Sequence, residues 1–203
     1  MKERPILFSG EMVRAILDDR KTQTRRVIKP QPLELCDEIW QWKYTEQKEE
    51  DLYEWLETAA PYQVGDRLWV REAIRIDSDC SAILYAADKA RVFRGKYQIQ
   101  YAYYPQDWPW KRTVLPSIFM PKWAARIWLE ITGVRAERVQ DISAYDILKE
   151  GVKEWMLHLP RARSAFQALW DSLNAQRGYP FADNSWVWMY EFKRMETPGG
   201  AKQ

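Results

Sequence analysis

The sequence contains little of what most metal and nucleotide sites require. His158 is the only histidine among 203 residues, which excludes a three-histidine zinc site and leaves any histidine-based triad dependent on one side chain. Because it lies between Leu157 and Leu159, we interpret it as a structural or surface residue. Walker loops and Gly-x-Gly-x-x-Gly runs are also absent, so neither nucleotide hydrolysis nor dinucleotide redox chemistry is predicted. We expect no metal and no cofactor.

The sequence also has few cysteines, a small net charge and no long apolar run. Cys36 and Cys80 have no metal or disulfide spacing and no secretory leader begins the sequence, so the cytoplasm is the expected location. No run approaches the roughly 18 to 20 apolar residues of a membrane span. Lys and Arg total 31 and Asp and Glu total 29, and this balance does not by itself indicate a nucleic-acid-binding protein. A charged binding site must therefore arise from local clusters of cations.

Length and apolar content predict one folded domain with large insertions. The hydrophobic fraction is 46% and the aromatic fraction is 14%, both above what a disordered chain carries. We predict a single domain over residues 1–195, with insertions at about 33–61 and 77–116 and a flexible tail at 196–203.

Helices and strands are predicted without the regular alternation of a doubly wound parallel sheet. Ser9 and Ser143 stand where N-caps are expected, ahead of helices predicted at 10–19 and 144–151. Further predictions are a helix at 162–174 and strands at 67–73, 83–86, 97–101, 125–139 and 185–193. This order favours an α+β fold or a decorated small barrel.

The most unusual stretch is the basic segment, residues 20–30. Lys21 supplies an amine and Thr24 a hydroxyl, and the two side chains meet only if the chain bends locally. Neighbouring Arg20, Arg25 and Arg26 favour a lowered lysine pKa, which a general base requires. The residues alone nevertheless favour a solvated basic loop that binds phosphate.

Twelve tryptophans are many for this length, and several stand beside Arg or Lys. We interpret most of them as core or rim packing. Trp69, and less strongly Trp110 and Trp123, are candidate ligand contacts because an indole face stacks on any base and a nearby arginine adds a cation–π interaction. Arg71 lies two residues after Trp69 and shares its face of the predicted strand.

Three blocks of sequence resemble the ASCH family of the PUA-like superfamily, especially its phage- and prophage-encoded members. These blocks are residues 5–29, 64–72 and 127–151, and the closing strand at 186–193 also fits. Together they cover roughly half of the chain, and both insertions lie outside the family core. The resemblance implies a small β-barrel with flanking helices, whose cleft binds RNA.

The family signature, Gly-x-Lys-x-x-Glu-x-Arg, is matched in part. Lys21 and Arg26 agree with it, whereas Asp19 replaces the glycine and Thr24 replaces the glutamate. The segment Lys-Thr-x-Thr is similar instead to that of the small bacterial amidohydrolases that remove the acetyl group from N4-acetylcytidine. In those enzymes a glutamate follows on the helix after the central strand, and Glu150 is in the matching place.

The second resemblance implies a catalytic role for Lys21, Thr24 and Glu150. Lys21 would remove the proton of Thr24, whose hydroxyl attacks the acyl carbonyl, and Glu150 would handle protons at the departing amine. Arg26 or Arg71 would stabilise charge on the oxygen. Without the resemblance, Glu150 is an ordinary exposed helix carboxylate.

Three functions from different classes remain open. The first is binding of RNA or a modified nucleoside in a basic cleft; its candidate contacts are Thr22, Arg25, Arg26, Trp69, Arg71 and Glu72, in addition to Lys21. The second adds hydrolysis of an amide such as that of N4-acetylcytidine. The third is a phage or prophage interaction protein whose Trp-rich insertions bind a host protein. We rank the binding of RNA or a nucleoside first, and leave open whether the protein is an enzyme.

Overall fold

The computed structural model of the protein describes residues 1–36, 38–43, 45–77, 82–92, 110–152 and 159–196. The helices are α1 (Gly10–Leu17), α2 (Glu49–Thr58), α3 (Ala144–Lys149) and α4 (Leu159–Asn174). The strands are β1 (Glu3–Leu7), β2 (Gln23–Val27), β3 (Leu33–Cys36), β4 (Ile39–Trp42), β5 (Thr45–Lys48), β6 (Arg67–Arg71), β7 (Ile74–Asp77), β8 (Ala82–Tyr85), β9 (Val114–Leu115), β10 (Trp128–Arg138) and β11 (Trp186–Met195). This mixture confirms the predicted α+β class, while the closed barrel stays a prediction. The strand predicted at 97–101, Cys80 and His158 lie outside the described residues.

The chain divides into two compact units, of which the first comprises residues 1–19, 65–130 and the C-terminal residues from Lys193. In it β6 lies between β1, which runs parallel to it, and the beginning of β10, which runs antiparallel. A second sheet has the order β8-β7-β9. The core of this unit consists of aromatic and aliphatic side chains, among them Trp69, Ile74, Ile83, Tyr85, Leu115, Met120 and Trp128.

The second unit comprises residues 20–64 and 131–192. Here β11 pairs antiparallel with β2, and Gln23 lies opposite Glu191 and Val27 opposite Val187. The first predicted insertion forms a sheet of order β3-β4-β5 followed by α2. Helices α3 and α4 pack through a core that includes Val139, Ile142, Ile147, Phe166, Trp170, Phe181 and Val187. None of the helices in the described ranges is long and apolar enough to cross a membrane.

Both helices that were predicted from serine N-caps begin where expected. The Ser9 hydroxyl accepts a hydrogen bond from the Met12 amide at the start of α1. At the start of α3, the Ser143 hydroxyl accepts from the Asp146 amide at 3.1 Å and donates to the Asp146 carboxylate at 2.9 Å. The cap therefore fixes both the first turn of α3 and the orientation of an acidic side chain.

Ser143→Ala is expected to lower the free energy of unfolding by about 1 kcal/mol, because the Asp146 amide loses its acceptor. Urea unfolding followed by circular dichroism measures this loss. The control is Ser172→Ala, since the exposed Ser172 hydroxyl bonds only the Leu169 carbonyl within α4, and a change within about 0.5 kcal/mol is expected there. Equal losses in the two variants would show that Ser143 does not act as a stabilising cap.

Candidate functional site

Lys21 and Glu150 form a buried ion pair in the second unit. The Lys21 amine donates to Glu150 Oε2 at 2.6 Å and to the Glu150 carbonyl at 2.9 Å. Lys21 is 2% exposed and Glu150 is 5% exposed. Two residues 129 positions apart in sequence thus meet in the interior, where an unpaired charge would be costly.

The backbone around each partner explains why they meet. Residues 21 and 150 form an antiparallel bridge, and the Thr22 amide donates to the Lys149 carbonyl at 2.8 Å. Helix α3 stops at this point because Gly151 has a φ of 92°, the left-handed conformation that ends helices and favours glycine. Glu150 is therefore held at the end of α3, beside the entrance to β2.

Arg25 occupies the other oxygen of the same carboxylate. Its Nη1 donates to Glu150 Oε1 at 3.0 Å, and its Nε donates to Glu137 Oε1 at 2.6 Å. Arg25 is buried, with its side chain only 1% exposed. Glu150 thus contacts two cations, and Arg25 links it to Glu137 on β10.

Further polar side chains extend this group, which we call the Lys21–Glu150 cluster: Lys21, Gln23, Arg25, Arg135, Glu137, Asp146 and Glu150. The Gln23 amide donates to Asp146 at 2.9 Å, and Arg135 donates to Glu137 at 2.7 Å and to Asp146 at 3.1 Å. Its three cations are matched by three carboxylates. The charges of the cluster therefore cancel, and its two buried cations, Lys21 and Arg25, both contact carboxylates.

The sequence did not predict that Arg135, Glu137 or Asp146 belongs to the site. Two signals were available: Asp146 and Glu150 have the i, i+4 spacing of one helix face, and Arg135 and Glu137 alternate onto one face of a strand. Neither pattern shows that the two faces meet, because that depends on how α3 lies against β2 and β10.

Burial lowers the pKa of the Lys21 amine. The Glu150 carboxylate opposes this effect, whereas Arg26 and Arg25 add to it, so that the pKa lies below the ordinary value of 10.5. An amine whose pKa is lowered, 2.6 Å from a carboxylate oxygen, is a candidate general base.

Thr24 and Arg26 lie on the other face of β2, since side chains alternate along a strand. Thr24 is buried, at 2% exposure. Arg26 is half-buried; burial lowers its pKa, while the nearby Tyr62 and Glu150 raise it. The structure therefore brings Lys21, Arg25 and Glu150 into direct contact and places Thr24 on the opposite face of β2.

Three of the remaining predicted contacts, Trp69, Arg71 and Glu72, belong to the first unit and have partners there. The Arg71 guanidinium lies 4.6 Å from the Trp69 ring centroid and donates to the Ile118 carbonyl at 3.0 Å. Trp69 is buried, at 6% exposure, so Arg71 rather than a base covers its ring. Glu72 accepts two hydrogen bonds from Arg126, both at 2.8 Å. Thr22 is half-buried in the second unit.

The other two candidate tryptophans are in the first unit. Trp110 packs against its core and Trp123 is 39% exposed. In the ranges that the structure describes, no group of three or more His, Cys, Asp or Glu side chains is arranged to hold a metal ion.

Comparison with known proteins gives two similar solved structures, while no family model and no curated protein matches the chain. The ASCH domain of Lactobacillus crispatus JV V101 is 12% identical, with a TM-score of 0.44 over 95% of this chain and 79% of that one. Protein EF3133 of Enterococcus faecalis V583, from the family DUF984, is 10% identical, with a TM-score of 0.43 over 96% of this chain and 76% of that one. At these identities neither protein supplies a residue role for this chain.

Proposed function

We propose that the protein is an ASCH-type amidohydrolase that binds a modified nucleoside and hydrolyses its exocyclic amide, as in N4-acetylcytidine. The ion pair between Lys21 and Glu150 carries this proposal. The sequence resemblance assigns catalytic roles to these two residues, and their side chains meet at 2.6 Å although 129 positions separate them.

The backbone at Asp19 also supports the resemblance. Asp19 stands where the family signature has glycine, and its φ is 55°. This left-handed conformation favours glycine, and aspartate is among the few other residues that adopt it readily. The departure from the signature at this position is therefore compatible with the same backbone.

The proposed reaction begins with transfer of a proton from Lys21 to Glu150. The neutral amine then accepts the Thr24 proton as Oγ1 attacks the acyl carbon, which requires the lysine side chain to rotate from Glu150 toward Thr24. The C–N bond breaks as protonated Glu150 donates to the leaving amine. Water then attacks the acyl-threonine and gives a proton to the Glu150 carboxylate. The ester C–O bond breaks as the Lys21 ammonium returns a proton to Thr24 Oγ1, and the acid is released. Arg26, on the Thr24 face, stabilises the negative oxygen in both stages.

The burial of two cations of the basic segment argues against their contact with an RNA backbone. Lys21 and Arg25, two cations predicted to contact phosphate, are 2% and 6% exposed and already hold carboxylates. Phosphate contacts need accessible cations that release counterions. Two tryptophans of the first insertion, Trp40 and Trp42, are buried as well, so these two rings do not offer a surface to a host protein.

Thr24→Val is expected to reduce turnover of N4-acetylcytidine by about a thousandfold or more, because it removes the nucleophile while keeping the side-chain volume. Chromatographic detection of cytidine measures turnover, and thermal unfolding checks the fold. Thr24→Ser should retain activity because it keeps the hydroxyl. Thr132→Val, at an exposed strand position, is the matched control. Undiminished turnover in Thr24→Val would overturn the mechanism. If the unaltered protein shows no turnover and binds RNA in a salt-sensitive manner, an RNA-binding module would be favoured instead.

The pH dependence of kcat/KM provides a separate check on Lys21. Because the reaction needs the single proton that Lys21 and Glu150 share, which later serves as the acid at the leaving amine, we expect kcat/KM to fall as the pH rises through the lowered pKa of Lys21, below the ordinary value of 10.5. Steady-state rates across this range, with circular dichroism at each pH, test the expectation. A value of kcat/KM that stayed level up to 10.5 would show that the proton of Lys21 is not used in the reaction.

A further inference from the structure

The small sheet β3-β4-β5 leaves one of its edges uncovered. Strand β3 pairs with β4, and within the described residues no strand pairs with its other side. All four residues of β3 are exposed, including Leu33 at 59% and Leu35 at 43%. An edge of this kind presents free backbone N–H and C=O groups and accepts an added strand.

The outer face of the same sheet is also accessible. Trp40 and Trp42 point inward and are buried, so the alternating Ile39 and Gln41 lie on the opposite face, where Ile39 remains 37% exposed. A shallow concavity of about 380 Å³ lies here, and its lining residues are Ile39, Glu46, Lys48 and Asp51. The two carboxylates outnumber the one ammonium group, that of Lys48, which lies 3.6 Å from the Glu50 carboxylate. Together with the aliphatic Ile39 they suit a lysine or arginine, whose stem is apolar and whose head is cationic.

The charge of this region identifies the class of partner. Residues 33–61 contain nine Asp and Glu and two Lys, a net charge of −7, while the rest of the chain has a net charge of +9. Such a surface attracts cationic partners and repels nucleic acids and anionic lipids. Pairing of β3 with a second copy of itself would bring Glu34 and Glu38 toward like charges, which is unfavourable.

We propose that the β3 edge and the outer face of its sheet bind an extended, cationic segment of another protein. The segment adds to the sheet as a fourth strand, its apolar side chains cover Leu33 and Leu35, and a lysine or arginine contacts Glu46 and Asp51. This binding does not depend on the chemistry at Lys21, so a Thr24→Val variant should bind equally well.

Fluorescence anisotropy with the full-length protein and a labelled ten-residue peptide of alternating lysine and valine tests the proposal. Binding should weaken by at least about tenfold when alternate backbone nitrogens of the peptide are methylated, because strand addition requires its N–H groups. The charge reversal Glu46→Lys/Asp51→Lys should weaken it to the same degree. The control Glu11→Lys/Asp183→Lys, at exposed positions, changes the net charge equally and should leave the affinity within about twofold.

Three outcomes contradict the proposal. Equal weakening by the control reversal would show diffuse charge attraction. Unchanged binding of the methylated peptide would exclude strand addition. A dimer in analytical ultracentrifugation that Leu35→Arg dissociates would assign the edge to a second copy of this chain.

Discussion

Glu150→Leu is expected to lower the free energy of unfolding by about 3–5 kcal/mol, the cost of breaking a buried ion pair from one side. The substitution leaves the Lys21 amine and one arm of Arg25 buried without the carboxylate that both contact. The double variant Lys21→Met/Glu150→Leu should lose less stability than the sum of the losses in Lys21→Met and Glu150→Leu, because it removes both charges together. Urea unfolding of the three variants measures this coupling.

The control for this cycle is an exposed ion pair. Lys193 and Glu130 are 3.2 Å apart with side chains 61% and 33% exposed, and Glu130→Leu should change stability by about 1 kcal/mol or less. Strict additivity in the Lys21–Glu150 cycle would show that the two residues do not interact in solution, and it would also remove the observation on which the proposed function rests.

The same pair makes stability depend on pH. The pKa of Lys21 is lower in the folded protein than its ordinary value of 10.5, so between these two values the unfolded chain binds more protons. Stability from this group is therefore present above 10.5 and is lost as the pH falls through the folded pKa. Lys21→Met should flatten the dependence in that window.

Arg126→Met is expected to produce a loss of similar size, about 3–5 kcal/mol, in the first unit. Glu72 is 1% exposed and both of its oxygens accept from Arg126, which also donates to Asp88 at 2.8 Å. The guanidinium lies 3.9 Å from the Tyr85 ring centroid, so its removal also opens a packing defect. Arg126→Met/Glu72→Leu should recover part of the stability because no carboxylate is then buried alone.

The pH dependence of the Arg126→Met variant distinguishes a stranded charge from lost packing. Burial raises the pKa of Glu72 above its ordinary 4.5, and without Arg126 the pKa should rise further. Since protonation relieves the buried charge, the deficit of the variant should be smallest near pH 4.5 and should grow as the pH rises through the folded pKa. Urea unfolding of the variant and the unaltered protein at pH 5 and pH 8 measures this difference in stability. Arg75→Met is the control, since the ion pair of Arg75 with Asp77 is 3.9 Å long and partly exposed. A loss of stability in Arg126→Met that did not change with pH would indicate lost packing alone.

The local elements were largely predictable because their signals lie within a few residues. Ser9 and Ser143 mark the starts of α1 and α3, and alternation of charged and apolar residues predicted β6 and β10. Lys21 was singled out from the basic segment itself, whereas Glu150 was named only through the family resemblance, since an isolated helix carboxylate carries no signal of its own.

The sequence by itself determined the α+β class, the caps and the location of the basic segment, since these depend on short-range propensity and periodicity. The tertiary structure decided the environment of that segment. From the sequence, Lys21 and Arg25 were expected in a solvated basic loop. In the structure, the backbone bridge between residues 21 and 150 and the pairing of β2 with β11 bury them against carboxylates at the end of α3 and on β10. Electrostatic energy depends on distance and on solvent exposure, and for residues more than a hundred positions apart both are set by how the elements pack.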